Sequence, residues 1–428
     1  MSPDPASSNR TIIHVPRRFV AHEWGGTETV VLEISKQQKA AGFDPVIITS
    51  MALAHQAHDD IAGIPVDRYP HLYPFFGLSA EQKAAMDKKG GNLLSIALLR
   101  ALLKKPDVRL FHAHALKRLG GTVRTAARLR KKPYVVSLHG GIYDVPAAEL
   151  SDLTKPIQGK IEWGKPFGAL LGARKVLDDA DHVICVGASE AEKARAALPH
   201  DRVSYLPNGV DCQRFLTGDG ARFRAHHNIP ADAFLIVKIS RIDTQKNQLG
   251  LLEAFAKFHA ATPTARLILI GPETQPAYAA KLREFIATNS LSEAVTLIPG
   301  LSNESGSLVD AYHAADAFVL SSRHEPFGIV VLEAWCAGRA VIASKVGGLQ
   351  SLITEDKTGL FFDPDSATAA DQLAAHLTTL HANPALRQSL GEAGRAEALA
   401  EYDWSRICER LESIYQLAEQ SAQRRWPK

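Results

Sequence analysis

Short apolar runs alternate with longer amphipathic stretches along nearly all of the 428 residues. Runs at 11–15, 45–49, 109–113, 134–138, 182–186 and 203–206 have the length and apolar content of buried strands. Between them, 27–41, 95–104 and 119–129 carry helical periodicity, and Gly42 closes the first. After the turn signal Pro207-Asn208-Gly209 the alternation restarts. Strands are expected at 234–239, 266–270, 294–298, 317–320, 340–343 and 359–362, with helices at 247–260 and 276–288 among others. This order predicts an α/β fold of two Rossmann-like, doubly wound parallel-sheet domains, 1–207 and 208–402. A final segment, 403–428, is helical and lines up Ile407, Leu411, Ile414 and Tyr415 on one stripe. Open α/β sheets bind ligands beyond the carboxyl ends of their strands, so a cleft between two facing domains is expected.

Composition narrows the class. With 46% hydrophobic and 22% charged residues, the chain is neither a disordered tail nor a small disulfide scaffold. The polar, proline-containing residues 1–10 read as lacking a signal-peptide core, and the apolar run 93–103 is short and interrupted by Arg100. Cys185, Cys212, Cys336 and Cys408 are far apart in sequence and read as structural thiols of a reducing, cytoplasmic compartment. The net charge of +3 is uneven: residues 81–132 hold fourteen Lys and Arg against three acids, a local excess of +11. Such a block fits an anionic partner, either a membrane surface or an acidic substrate, and fits equally a set of solvated helix faces. Nucleic acid is disfavoured because aromatic residues are not interleaved with the cations.

The sharpest local signal is Ser322-Arg-His-Glu325-Pro-Phe327-Gly328-Ile329-Val330-Val-Leu-Glu333-Ala-Trp, directly after the strand at 317–320. Pro326 predicts a helix starting near Phe327, with Glu325 in the preceding loop and Glu333 about a turn and a half inside. The backbone N–H groups of Phe327, Gly328, Ile329 and Val330 would then be unpaired helix-start donors, suited to a phosphate or sugar oxygen. Alone, such an acid pair reads as a helix cap plus a surface carboxylate.

In this setting the stretch resembles the Glu-(x)7-Glu signature of retaining glycosyltransferase family 4, the glycosyl transferases group 1 of GT-B fold. The seven-residue spacing and the following Gly338-Arg-Ala-Val-Ile-Ala-Ser344 both match. Ser240-Arg241-Ile-Asp-Thr-Gln-Lys246-Asn247 is similar to the family's Arg/Lys phosphate clamp, and Ser137-Leu-His139-Gly140-Gly141 to its strand–His–Gly element. Leu206-Pro-Asn-Gly-Val-Asp211 and Gly187-Ala-Ser189-Glu190 match further family elements and read as structural. The resemblance implies transfer of a sugar from a nucleotide diphosphate donor to a sugar or lipid-linked hydroxyl acceptor, with retained configuration and no metal or cofactor. It implies that Arg241 and Lys246 hold the diphosphate, Glu333 the ribose, and Glu325 the sugar hydroxyls. His139 is expected to approach the transferred sugar. Gly25 and Gly26, which open the first helix, are expected to border the donor phosphate.

His112-Ala-His114 ends a strand; with no third ligand nearby it makes a thin metal site, and both histidines read as lining the acceptor side. Asp363-Pro-Asp365 mimics a metal-binding Asp-x-Asp and reads as a loop after a strand. Gly347-Gly348-Leu349-Gln350-Ser351 lacks the Pro and Glu that the family places after its glycines. The first domain, which carries the basic block, is the acceptor domain of the fold, so a lipid-linked acceptor at the inner membrane face and a soluble sugar phosphate both fit. By analogy, the pathway is exopolysaccharide, lipopolysaccharide or glycolipid assembly. A catalytically silent sugar-nucleotide-binding protein and a nucleotide-sugar epimerase of GT-B architecture are the alternatives.

Overall fold

In the computed structural model, which describes residues 9–88, 90–140, 155–301 and 306–427, the chain divides into two units. Lys89 and Gly141 lie outside the described residues. The first unit comprises Met1–Pro207 and Ile407–Lys428, and the second Asn208–Arg406.

The first unit is built on β1 (Thr11–Val15), β2 (Asp44–Ser50), β3 (His58–Ile61), β4 (Ile64–Tyr69), β5 (Val108–Ala113), β6 (Tyr134–Leu138), β7 (His182–Cys185) and β8 (Val203–Tyr205). They form one sheet in the order β3-β4-β2-β1-β5-β6-β7-β8, parallel except for the β3–β4 pair. The sequence pattern missed β3 and β4. The first, His-Asp-Asp-Ile, is polar, and the second turns Arg68 inward, where its guanidinium donates to the Phe19 and Gln56 carbonyls and pairs with Asp59. A charged residue at an inward position breaks the alternation that marks a strand. Ile13, Val15, Phe111, Val136 and Val183 pack against Leu98 and Leu102 of the helix Ile96–Lys104 and Leu119 and Val123 of the helix Lys117–Arg130. Burying each such side chain contributes roughly 1.5–3 kcal/mol.

The second unit holds β9 (Leu235–Ile239), β10 (Arg266–Ile270), β11 (Val295–Ile298), β12 (Ala317–Leu320), β13 (Ala340–Ser344) and β14 (Leu360–Phe362) in a parallel sheet ordered β11-β10-β9-β12-β13-β14. Its core joins Ile236, Leu267, Val319 and Ile342 to Leu251, Phe255, Leu282 and Leu377 from the covering helices. The cysteines separated in sequence are not all separated in space: Cys212 and Cys336, both buried thiols of this unit, sit with their Sγ atoms 3.2 Å apart.

The last helix, Trp404–Arg425, starts in the second unit, where Val210 pairs with Asp403 and the Trp404 ring closes on Gly209. From Ile407 onward it belongs to the first unit. Arg109 of β5 fastens it there. Its guanidinium donates to Glu412 at 2.6 Å and 2.9 Å and to Glu419 at 2.8 Å, and stacks over Phe43. These bonds hold the Arg109 pKa above its ordinary value although burial opposes the charge. Arg425 adds an ion pair with Asp181, at 3.0 Å. Replacing Arg109 by Met should therefore lower the unfolding free energy of the first unit by roughly 1–3 kcal/mol, because two carboxylates lose a charge-assisted partner. Urea unfolding, followed by proteolytic release of the last helix, measures this; an unchanged midpoint and cleavage rate would rule the clamp out.

Candidate active site

In the second sheet, β9 and β12 are neighbours while their connections run to opposite edges, so the crevice beyond their carboxyl ends is the topological switch point. The loop after β9 carries Arg241 and Lys246, and the loop after β12 carries Glu325. Lys246 Nζ donates to Glu325 Oε2 at 2.7 Å, and the Ser322 hydroxyl reaches the same oxygen at 3.3 Å. Both charged side chains are largely buried, at 14% and 11% exposure. Arg241 is more open, at 47%, and pairs with Asp243 at 3.2 Å.

The helix carrying Glu333 starts later than Pro326 suggested. It spans Ile329–Cys336, with Gly328 as N-cap at φ +100°, a conformation that disfavours any residue with a Cβ. Glu333 is thus the fifth helical residue, about one turn in. Ile329 and Val330 are the first two helical residues, whose N–H groups have no partner within the helix. The Val331 N–H is already taken by the Gly328 carbonyl, and Phe327 is buried, leaving only its backbone for a ligand. Gly347 and Gly348 support this loop from behind. The Gly348 N–H donates to the Glu325 carbonyl at 2.9 Å, and a Cβ on Gly347 would come within 2.3 Å of that oxygen. Ser351, where the family Glu is missing, donates to the Gly348 carbonyl at 2.9 Å.

Glu333 is half-buried and accepts from the Tyr312 hydroxyl. Burial raises its pKa to about 7, against the lowering effects of Tyr312 and Arg214. The sequence reading missed Lys238, the charged residue inside the otherwise apolar β9 and the only available signal for it. Its ammonium is buried, donates to Ser321 Oγ at 2.9 Å, and is pushed down to about 7 by burial and by the charge of Lys246. Ser321 in turn donates to the Asn247 carbonyl at 2.9 Å, which ties β9 to both ligand-facing loops.

In the first unit the switch point lies between β1 and β5, whose register sets His14 beside His112. His114 follows β5 and His139 follows β6. Here the structure corrects the reading of His112: it is fully buried and both nitrogens are engaged, Nδ1 with the Tyr415 hydroxyl at 2.8 Å and Nε2 with Ser137 Oγ at 2.7 Å. It does not line the cavity beyond these strand ends. His114 and His139 do, together with Ser137, Asn92, Arg17 and Lys117, around a cavity of about 280 Å³. His14 supplies the third imidazole that the sequence argument lacked, with candidate nitrogens of His14, His112 and His114 all within 4.8 Å of one another. His112 has both nitrogens engaged, and His14 Nδ1 lies 3.0 Å from His114 Nε2, at hydrogen-bond distance. The cluster is a hydrogen-bonded array. Burial holds His14 and His139 down to about 4, and pushes His112 and His114 well below their ordinary value, so the imidazoles are neutral.

Gly25 caps the helix Gly26–Ala40, as the sequence implied, but the cradle is partly filled. The Glu28 carboxylate folds back onto it, near enough that a Cβ on Gly25 would meet Oε2 at 3.0 Å, and interacts with the Gly25 and Glu28 N–H groups. Nor is the basic block a free patch. Lys88, Lys105, Arg109, Arg118, Arg124 and Arg128 pair with Glu23, Asp67, Glu412 and Glu419, Glu162, and Asp179, all outside the block. Lys117 makes no ion pair among the described residues and stands exposed at the cavity. Asp363 and Asp365 form a turn, with the Asp365 N–H donating to the Asp363 carboxylate at 3.0 Å. No described helix is long and apolar enough to cross a membrane.

Comparison with known proteins matches both units. The model described as Glycosyltransferase Family 4 covers residues 24–214, and that described as Glycosyl transferases group 1 covers 219–397. A D-inositol 3-phosphate glycosyltransferase of Geodermatophilus obscurus is 26% identical over 93% of this chain and 86% of its own. The protein of the same name from Kineococcus radiotolerans is 27% identical over 92% and 91%. Among solved structures, Anabaena Alr3699/HepE in complex with UDP superposes with a TM-score of 0.72 at 19% identity, covering 95% of this chain and 99% of that one. WaaG, a glycosyltransferase of lipopolysaccharide biosynthesis, gives 0.63 at 16% identity over 97% and 100%. Matched on both units and sharing the fold of these structures, the chain belongs to glycosyltransferase family 4 and has the GT-B fold.

Proposed function

We propose that the protein is a retaining, metal-independent glycosyltransferase that moves a sugar from a nucleotide diphosphate donor to a hydroxyl of a small anionic acceptor. The observation that carries the donor reading is the contact of Lys246 with Glu325 at the second unit's switch point. Lys246 is the charge complement of the diphosphate of a nucleotide sugar, and Glu325 is an acceptor for its sugar hydroxyls. A diphosphate entering the crevice replaces the carboxylate as the partner of Lys246, and the released Glu325 accepts from sugar hydroxyls. Arg241 and the N–H groups of Ile329 and Val330 add positive potential where leaving-group charge builds up, the task a divalent cation performs elsewhere. Glu333 binds the ribose hydroxyls. Retention follows from attack on the face the diphosphate leaves, with a departing phosphate oxygen taking the acceptor proton. A Proposed donor of the UDP-glucose type is supported by Anabaena HepE, solved in complex with UDP-glucose.

The relatives' name, D-inositol 3-phosphate glycosyltransferase, supports a phosphorylated polyol or sugar acceptor. So does Lys117, exposed beside the first unit's cavity. The many internal ion pairs of residues 81–132 favour this over a membrane surface. A cytoplasmic location fits the free thiols.

Three outcomes test this. A panel of nucleotide diphosphate sugars should contain one that stabilises the protein against heat. Lys246→Met should weaken its binding at least about tenfold, the effect of losing one charge-assisted contact; equal affinity would remove Lys246 from the site. With a phosphorylated polyol added, the product should keep the donor's anomeric configuration in NMR spectra, at a rate insensitive to EDTA; an inverted product would refute the mechanism. The third outcome concerns Glu333. Its folded pKa of about 7 exceeds the ordinary 4.5, so the folded state binds the proton more tightly and stability falls as pH rises between these values. Glu333→Gln should thus be more stable than wild type at pH 8, by up to about 3 kcal/mol, with the gap closing below pH 4.5. Denaturant unfolding at both pH values reads this directly, and a constant gap would contradict it.

A further inference from the structure

Six buried side chains of the first unit and the half-buried His139 form an unbroken hydrogen-bonded chain. It begins at His139, at the cavity, whose Nε2 lies 2.9 Å from His114 Nδ1. His114 Nε2 lies 3.0 Å from His14 Nδ1, and His14 Nε2 lies 2.8 Å from Gln38 Oε1. Gln38 Nε2 donates to the Tyr415 hydroxyl at 3.1 Å, Tyr415 meets His112 Nδ1 at 2.8 Å, and His112 Nε2 meets Ser137 Oγ at 2.7 Å.

With Gln38 Oε1 toward His14 and its Nε2 toward Tyr415, the direction of each bond follows in turn. The Gln38 carboxamide oxygen can only accept, so His14 carries its proton on Nε2. A neutral His14 then accepts at Nδ1, which requires the proton of His114 on Nε2. Neutral His114 accepts at Nδ1, which requires the proton of His139 on Nε2. On the other side, the Tyr415 hydroxyl accepts from Gln38 and donates to His112 Nδ1, and His112 Nε2–H donates to Ser137. Each of the five inner members donates one hydrogen bond and accepts one, with no charge and no nitrogen of His14, His112 or His114 left over. Ring geometry agrees. His14–His114 and His114–His139 have centroids 5.3 Å and 5.2 Å apart with interplanar angles of 25° and 26°. Those separations match the N···N distances plus two ring radii, so the rings lie nearly edge to edge, as N–H···N bonds require. His112 instead lies with its centroid 4.0 Å from that of His114, in van der Waals contact rather than in the chain of nitrogens.

We propose that Gln38 and Tyr415 are positioning residues that lock His139 as its Nε2–H tautomer, so that its bare Nδ1 accepts a hydrogen bond from a sugar hydroxyl bound at the first unit's cavity. The proposal rests on the reading of His139 as a ligand contact. It adds the specificity: an acceptor nitrogen favours a hydroxyl, which can donate, and disfavours a phosphate or carboxylate oxygen, which cannot. Because burial keeps all four imidazoles neutral, protonation does not erase the preference at ordinary pH. The C-terminal helix, through Tyr415, thus acts on a residue that it does not touch.

The test is 15N NMR of histidine-labelled full-length protein at pH 7, which separates bare from protonated ring nitrogens. Wild type should show His139, assigned with His139→Gln, with a bare Nδ1 and protonated Nε2. Gln38→Met and Tyr415→Phe should each bring in the second tautomer, and should lower kcat on the order of tenfold, as loss of a partner behind a functional imidazole does, with little change in donor KM. The hydroxyl removed from Tyr415 is small enough that Tyr415→Phe keeps the test usable should Gln38→Met not fold. A bare Nε2 on wild-type His139, a protonated imidazolium, or a tautomer indifferent to both variants would overturn the proposal. So would stoichiometric zinc in the purified protein, bound by His14, His112 and His114. Full activity in His139→Ala would instead sink the ligand-contact reading, while the tautomer spectra would still decide the relay.

Discussion

Both units depend on one constraint of parallel sheets. A parallel strand must be followed by a crossover, and where two neighbouring strands send their crossovers to opposite edges, neither covers the strand ends between them. β1 and β5 meet in this way in the first unit, and β9 and β12 in the second. Arg241, Lys246, Glu325, His114 and His139 all follow one of these strands or the immediate neighbour β6, and His14, His112 and Lys238 lie within them. Pairing register then does the fine positioning: it is the β1–β5 register that sets His14 against His112.

The two crevices solve the cost of buried polar groups in opposite ways. The second unit uses charge. Lys246 and Glu325 neutralise each other and Asp243 accompanies Arg241, so these cations persist where solvent is scarce. Such an arrangement answers to an incoming anion, since a diphosphate is a better partner for a cation than a carboxylate already shared with Ser322. The first unit uses neutral groups. Four imidazoles, an amide and two hydroxyls satisfy one another in a chain, and the absence of net charge lets them sit almost wholly out of water. This suits the recognition of hydroxyls more than of phosphate. Several basic residues of the same unit are spent on internal pairs such as Arg118 with Glu162 and Arg124 with Asp179, which hold its helices in place.

Much of this was legible in the residues. The strands 134–138, 266–270 and 317–320 and the helix 276–288 were readable to the residue, because apolar runs bounded by turn signals are local features. Gly328 shifted the helix start past Phe327 because its left-handed φ suits a cap, which the preceding Pro326 does not reveal. The strand β4 was hidden by Arg68, whose burial depends on the Phe19 carbonyl and Asp59 from other segments. His112 was misread for the same kind of reason, since its burial is produced by Ser137 and by Tyr415, some 300 residues further along.

By itself, the sequence determined the class of fold, the strand-end loops and the family to which Glu325, Glu333, Arg241 and Lys246 point, because periodicity and motif spacing are properties of neighbouring residues. Only the tertiary structure decided which of these groups touch. It paired Lys246 with Glu325, closed Glu28 over Gly25, gave His112 to the interior, and joined His14 and Gln38 to Tyr415. Hydrogen bonds and ion pairs act over about 3 Å, and chain order says little about which distant side chains the packing of helices on sheets will bring within that reach.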